Sequence, residues 1–353
     1  MNIYQLLQII VDRNASDLHL LAGFKPQLRL NGELISIEGS TPLGASDVDV
    51  LVDPLLTPYQ KKLFQEKLEL DLGFEFNAQG RFRINLYRQK GTTAAAFRLI
   101  PKKIRDIHEI GLPDSVMHLT DLKQGLVLVT GPTGHGKSTT LAAFINQINM
   151  SKSVHVLTVE DPIEYVYPPG KALISQREIN FDTQSWSNSL KYALREDPDV
   201  VLIGEMRDLE TISSAMTIAE TGHLVFATVH TNSAAQTVDR IIDVFPENQQ
   251  PQIRTQLASV IEAIISLRLI PTISPGRVIA SEILYGVPAL RSIIRDGKTH
   301  LVDNLIQTSG EYGMRSLEVS LAELVRAGKI DITVAKNFSI RPQVLSKLLG
   351  RAI

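Results

Sequence analysis

The clearest chemistry in the chain lies in eight consecutive residues, Gly131-Pro-Thr-Gly-His-Gly-Lys-Ser138, which match the pattern G-x-x-x-x-G-K-[ST]. Glycines at this spacing let the backbone wrap around phosphate oxygens. A helix that starts at the end of the loop points its free N–H groups at the same oxygens. The expected nucleotide-binding residues are Gly131, Thr133, Gly134, His135, Gly136, Lys137, Ser138 and Thr139. Lys137 is expected to reach the β- and γ-phosphates, and Ser138 to set its hydroxyl on Mg²⁺. A chance glycine turn with this pattern arises about once per hundred chains of this length. The apolar run Leu126–Val129 before the loop and the helical segment Thr139–Ile148 after it reduce that chance further.

Acidic residues follow two other apolar runs. Val154–Val159 ends in Glu160-Asp161-Pro162-Ile163-Glu164, and Val200–Ile203 ends in Gly204-Glu205. In open parallel sheets, ligands bind beyond the carboxyl ends of the strands. ATP hydrolysis needs one carboxylate to support Mg²⁺ and another to polarise the attacking water. Glu205 fits the first role, acting mainly through water, and Glu164 or Glu160 fits the second. The plainer alternative is an acid that caps the next helix, as Asp161-Pro162 suggests. His223 and His230 flank the run Leu224–Val229 and are expected to sense the γ-phosphate. The alternative is a pair of hydrogen-bonded core histidines. A metal site there is disfavoured, because the acids already have roles and cysteine is absent.

These groups need elements to hold them. Ile3, Leu6, Leu7, Ile10 and Val11 recur at helical spacing over residues 1–14. Alternation then predicts strands around Leu18–Leu20 and Leu28–Leu30, a hairpin at Asn31-Gly32, and strands at Asp71–Phe76, Arg81–Arg88 and Thr92–Arg98, with a helix around 58–69. This is an α+β domain, residues 1–100. A linker is expected over 101–112. Residues 126–285 hold continuous apolar runs separated by helix-sized segments, the signature of parallel strands buried on both faces. The second domain is therefore α/β, over 113–285. Helical segments at Val287–Asp296, Leu317–Ala327 and from about 333 make a C-terminal region, 286–353.

Composition sets the outer limits. The chain has 353 residues, with 36 Lys+Arg against 38 Asp+Glu, a net charge of −2 and no cysteine. That length suggests about two domains. Without cysteine there are no disulfides, thiolate zinc sites, iron–sulfur clusters or thiol nucleophiles. The near-neutral charge argues against a nucleic-acid-coating protein. No run of about 18 apolar residues is present, and the opening residues lack a basic signal-peptide segment. A soluble, intracellular chain that reaches a membrane only by docking to a partner is expected.

Four ordered blocks resemble the type II/IV secretion superfamily ATPases: GPTGHGKST at 131–139, TVEDPIEY at 158–165, LREDPDVVLIGEMRD at 194–208 and AETGHLVFATVHT at 219–231. The opening ASDLHLLAGFKPQLRLNGEL at 15–34 is similar as well. The assembly and secretion branches usually carry a tetracysteine zinc module, so the cysteine-free chain resembles the pilus-retraction branch. ALRSIIRDGK at 289–298 resembles that branch's AIRNLIREGK helix, departing at Leu290, Ser292, Ile293 and Asp296. His135 departs from the usual Ser.

The resemblance implies a PAS-like N-terminal domain hinged on a RecA-like ATPase domain, with nucleotide between them, in a homohexamer. It implies ATP and Mg²⁺ as cofactors. It makes Arg83 and Arg98 the arginines that reach the phosphates, with Arg81 a nearby alternative, against the plainer reading of alternate arginines on a solvated strand face. The implied partners are an inner-membrane pilus platform protein and the pilus machinery, at the cytoplasmic face of the inner membrane, with no direct nucleic acid. The function implied is pilus retraction in twitching motility, with the 288–296 helix serving retraction or merely packing. Rivals are another secretion, DNA-uptake or conjugation ATPase, a non-hydrolysing nucleotide-binding regulator, and a RecA-type nucleic-acid translocase.

Overall fold

The computed structural model describes residues 1–30, 32–76, 80–100 and 102–350. The fold is mixed α/β and divides into two compact units. The first comprises the chain through Lys103 together with Asp161–Val166, and the rest forms the second.

In the first unit, α1 (Ile3–Arg13) starts at a reciprocal capping box between Asn2 and Gln5 and buries Ile3, Leu6, Leu7 and Ile10. The strands are β1 (Asp17–Leu20), β2 (Gln27–Leu30), β3 (Glu33–Ser36), β4 (Glu69–Phe76), β5 (Gly80–Gln89) and β6 (Thr92–Ile100). Helices α2 (Asp47–Val52) and α3 (Pro58–Lys67) lie between β3 and β4 in sequence. The sheet order is β3-β2-β1-β6-β5-β4, and each neighbouring pair is antiparallel. The period of two puts Leu18, Leu28, Phe97, Ile84 and Leu72 in one cross-strand row on the core face. The expected hairpin joins β2 to β3, although Asn31 itself lies outside the described residues.

The second unit is built on β7 (Gly125–Thr130), β8 (His155–Glu160), β9 (Leu173–Glu178), β10 (Val200–Ile203), β11 (Leu224–Val229), β12 (Ile261–Pro271) and β13 (Arg277–Tyr285). Their order is β13-β12-β7-β11-β10-β8-β9. All neighbours are parallel except β12 and β13. Helices α4 (Lys137–Ser151), α5 (Trp186–Ala193), α6 (Leu209–Glu220), α7 (Ala234–Asp243) and α8 (Gln250–Val260) fall between strands in sequence. Every residue of β7, β10 and β11 is buried, as continuous apolar runs require.

Three features depart from the sequence reading. β12 and β13 form a hairpin around Thr272–Gly276, so β13 runs antiparallel, as a short connection demands. The stretch read as a linker contributes Ile107, Ile110 and Leu112 to the core of the second unit. Residues 161–166 group with the first unit, although the sequence order places them inside the second.

The C-terminal helices are α9 (Pro288–Arg295), α10 (Val302–Thr308), α11 (Leu317–Arg326), α12 (Ile332–Phe338) and α13 (Pro342–Leu349). They belong to the second unit. Leu290 and Ile294 on α9 are buried in its main core. Leu317, Leu321, Ala335 and Leu345 pack with Ile270 and Ala280 of the hairpin in a separate small cluster. Beside that cluster, the fully buried Glu318 accepts hydrogen bonds from the backbone N–H of Ile340 (3.1 Å) and Arg341 (2.8 Å) and from Ser339 Oγ (3.1 Å). Arg341 Nη1 pairs with its other oxygen at 3.3 Å. Glu318→Ala strands these donors and should cost about 3–5 kcal/mol, measured as a lowered unfolding temperature. An unchanged melting curve would show that the α11–α13 packing does not depend on this carboxylate.

Candidate nucleotide site

The parallel register aligns the carboxyl ends of the central strands. Thr130 of β7 lies opposite Val229 of β11, and Ile203 of β10 lies between Ala227 and Val159. The loops that leave these strands therefore share one edge of the sheet.

The loop after β7 is the glycine-rich segment. Gly131, Gly134 and Gly136 have φ of 140°, 78° and 90°, in the left-handed region that favours glycine. A Cβ on Gly131 would stand 2.6 Å from the carbonyl oxygen of Leu267 on β12, so the loop also needs glycine for close approach. Gly136 caps α4, which begins at Lys137 and continues through Ser138 and Thr139.

Lys137 is only 8% exposed, and a buried ammonium must be hydrogen-bonded. It donates to the carbonyls of Gly131 (2.8 Å) and Pro132 (3.1 Å) and lies 3.4 Å from His230 Nδ1. Nδ1 must accept from an ammonium, which leaves the proton on Nε2. That proton points to Glu205, whose Oε1 lies 3.2 Å from Nε2. Burial, followed by the Lys137 charge, holds His230 below its ordinary pKa of 6.5, with Glu205 opposing. Glu205 Oε1 also pairs with Arg207 Nε at 2.6 Å. Lys137, His230, Glu205 and Arg207 thus form one connected line at the strand ends.

His223 is not brought to this line. It precedes β11, and its backbone C=O accepts from Gly125 at the start of β7. Its Nδ1 lies 3.1 Å from both Ile218 O and Thr221 Oγ1. An intervening strand of six residues separates it from His230 by about 20 Å. The two histidines lie at opposite strand ends, which adjacency to the same apolar run could not reveal.

Glu160 ends β8, and its Oε1 accepts from Thr158 Oγ1 (2.7 Å) and Gln176 Nε2 (3.3 Å). Glu164 lies in the segment that groups with the first unit, where Arg81 Nε donates to the Ile163 carbonyl at 2.9 Å. The polar face of that unit's sheet carries the expected arginines. Arg29, Asp17, Arg98 and Arg83 are successive cross-strand partners, so their side chains share one face in one row. Arg98 Nε bonds Asp17 Oδ1 at 2.9 Å, and Arg83 Nε lies 3.7 Å from Asp71 Oδ1.

Among the described residues, no group of three or more His, Cys, Asp or Glu side chains could hold a metal ion. One hydroxyl, Ser138, and one carboxylate, Glu205, suit Mg²⁺ that arrives with phosphates and keeps its waters, rather than a protein-built cage.

The sequence reading missed Arg207, Asn232 and Arg268. Arg207 lies inside a quoted block. Arg268 is a charge inside the apolar run of β12, which a buried arginine allows only when paired. Its Nη2 donates to Asn232 O (2.8 Å) and Oδ1 (3.1 Å).

His135 makes a contact that Ser could not copy: its Nδ1 accepts from the Leu269 N–H at 3.1 Å. Burial, then Arg268, Lys137 and Arg277, keep its pKa below 6.5. The folded state therefore binds fewer protons than the unfolded chain as pH falls below 6.5. Acid should weaken the second unit by protonating His135 and breaking the Leu269 bond. His135→Ser should make the fall in unfolding temperature between pH 7 and pH 5 shallower. A fall as steep as that of the wild type would show that His135 does not contribute to it.

The chain is similar to known proteins over nearly its whole length. The chain is 46% identical over 330 residues to the type IV pilus retraction ATPase PilT of Pseudomonas aeruginosa, covering 94% of this chain and 96% of the relative. It is 35% identical to the type IV pilus ATPase PilU of the same organism, covering 94% and 86%. The crystal structure of the pilus retraction motor PilT with bound ADP superposes with a TM-score of 0.91 at 41% identity, covering 98% of this chain and 99% of that one. With residues 3–302 matching its family model, the chain belongs to the type II/IV secretion system protein family.

Proposed function

We propose that this chain is the ATP-hydrolysing motor of type IV pilus retraction and twitching motility. The observation that carries the reading is the buried Lys137 ammonium, joined through His230 to Glu205 at the carboxyl ends of β7, β11 and β10. The likeness to PilT in sequence and fold supports its assignment to retraction.

In this reading residues 1–100 form a PAS-like domain and the core at 113–285 is RecA-like. The glycine loop's N–H groups and Lys137 bind the phosphates, with Thr133, Gly134, His135, Gly136 and Thr139 lining the loop. Ser138 and Glu205, the latter through water, would hold Mg²⁺, which would supply charge neutralisation on the phosphate oxygens. Glu164 accepts a hydrogen bond from the attacking water and turns its lone pair toward the γ-phosphorus. Arg83 and Arg98 offset the negative charge that spreads over the transferred group. His230 reads whether the γ-phosphate is present, because Lys137 can bond either that phosphate or His230. His223 takes no part in hydrolysis in this reading. The motor works as a homohexamer, docked on an inner-membrane platform protein of the pilus machinery at the cytoplasmic face. Among the described residues no helix is long and apolar enough to cross a membrane, which suits attachment through a partner.

Steady-state phosphate release tests the chemistry. Glu164→Gln should lower kcat about a hundredfold or more while ADP affinity stays within about threefold. Wild type turning over no faster than Glu164→Gln would sink the hydrolase reading. Arg98→Ala should likewise keep ADP binding and lose turnover, and unchanged turnover would remove Arg98 from the mechanism. In the source cell, deletion of the gene should leave more pili and no surface motility. Loss of pili instead would assign the chain to assembly.

A further inference from the structure

The carboxyl-terminal half of β12 touches both functional loops through three consecutive residues. The Leu267 carbonyl lies against Gly131, and the Leu269 N–H donates to His135, so the backbone on either side of Arg268 holds the glycine loop. The Arg268 side chain reaches the other loop, the one that runs from His230 to Ser233. Its Nη2 donates to both the backbone and side-chain oxygens of Asn232, and its Nη1 donates to Leu267 O at 3.1 Å. Arg268 is 8% exposed, so its guanidinium is held out of bulk water although its partner Asn232 is exposed.

A second hold lies on the neighbouring strand. Glu282 faces Ser266 across the hairpin, on the same side as Arg268. It is buried, and its Oε1 accepts from the N–H of Ala234, the first residue of α7, at 2.8 Å. The loop that carries His230 is therefore fixed at Asn232 by β12 and at Ala234 by β13. His230 lies two residues before the first of these points. Glu282 Oε2 lies 3.9 Å from Arg341, which also pairs with Glu318 and Asp303, so the C-terminal helices bear on the same hold.

We propose that Arg268 and Glu282 are positioning residues of the hydrolytic site, which set His230 against Lys137 and Glu205 by clamping its loop to the β12–β13 hairpin, whose first strand also supports the glycine loop. This rests on the reading that His230 acts in turnover. The planar guanidinium is what the geometry calls for, because one flat group serves Asn232 O, Asn232 Oδ1 and Leu267 O together.

The test uses the full chain, with kcat and KM for ATP, ADP affinity and unfolding temperature measured on each variant. Arg268→Ala should lower kcat about tenfold or more while KM and ADP affinity move less than about threefold. Arg268→Lys should recover only part of the loss. Glu282→Gln, which keeps an acceptor for the Ala234 N–H, should retain more turnover than Glu282→Leu. The decisive variant is the double Arg268→Ala/His230→Ala, whose kcat should fall no lower than that of His230→Ala. If the two losses multiply, Arg268 does not act through His230 and the proposal is overturned. Loss in His230→Ala with wild-type kcat in Arg268→Ala overturns the proposal alone, whereas wild-type kcat in His230→Ala overturns the assignment of His230 as well. Should Arg268→Ala fail to fold, Asn232→Ala at the exposed partner removes one of the two acceptors that Asn232 offers Arg268. It should lower kcat by a smaller factor, and wild-type kcat there counts against the clamp.

Discussion

The parallel register of β12, β7, β11, β10 and β8 is the constraint on which the second unit's chemistry depends. Parallel neighbours end at the same edge of a sheet, so residues far apart in sequence leave their strands side by side. Lys137, Glu205 and His230 come from three different connections and meet only because β7, β10 and β11 run parallel and end at the same edge of the sheet. A shift of one strand by one residue would also exchange its faces, and β7, β10 and β11 are buried throughout. The packing that stabilises the sheet is thus the packing that fixes the register of the site.

Within that frame, charge decides the details. A buried ammonium, a neutral imidazole and a carboxylate make a line in which each donor has an acceptor. Lys137 lies at one end, bonded to two loop carbonyls and His230. In the proposed function, a phosphate competing for the same ammonium would change what His230 touches, and His230 in turn touches Glu205. The hairpin of β12 and β13 supports this line from the side: the first strand holds both loops, and the second fixes the start of α7.

Much of this was legible in the residues. The glycine loop was readable because its backbone conformation demands glycine at set positions, and three of those positions have positive φ. The central parallel strands were readable because burial on both faces leaves an apolar run. The first unit's strands showed the period of two that a half-buried antiparallel sheet imposes. The β12–β13 hairpin was not readable in the same way. Glu262, Ser266, Arg268 and Glu282 interrupt its apolar pattern, and each polar group is tolerated only because of a partner distant in sequence.

By itself the sequence determined where the glycine loop lies, which strands are buried and which family the chain resembles, because local conformation and solvent exposure act on neighbouring residues. Only the tertiary structure decided that His230 joins Lys137 and Glu205 while His223 lies at the other end of the same strand. It alone placed Asp161–Val166 with the first unit, and it alone revealed Arg268 beneath the His230 loop. The physical reason is the same in each case. A hydrogen bond or charge pair forms across space, and its partner is set by strand order and register, which a linear pattern of residues does not contain.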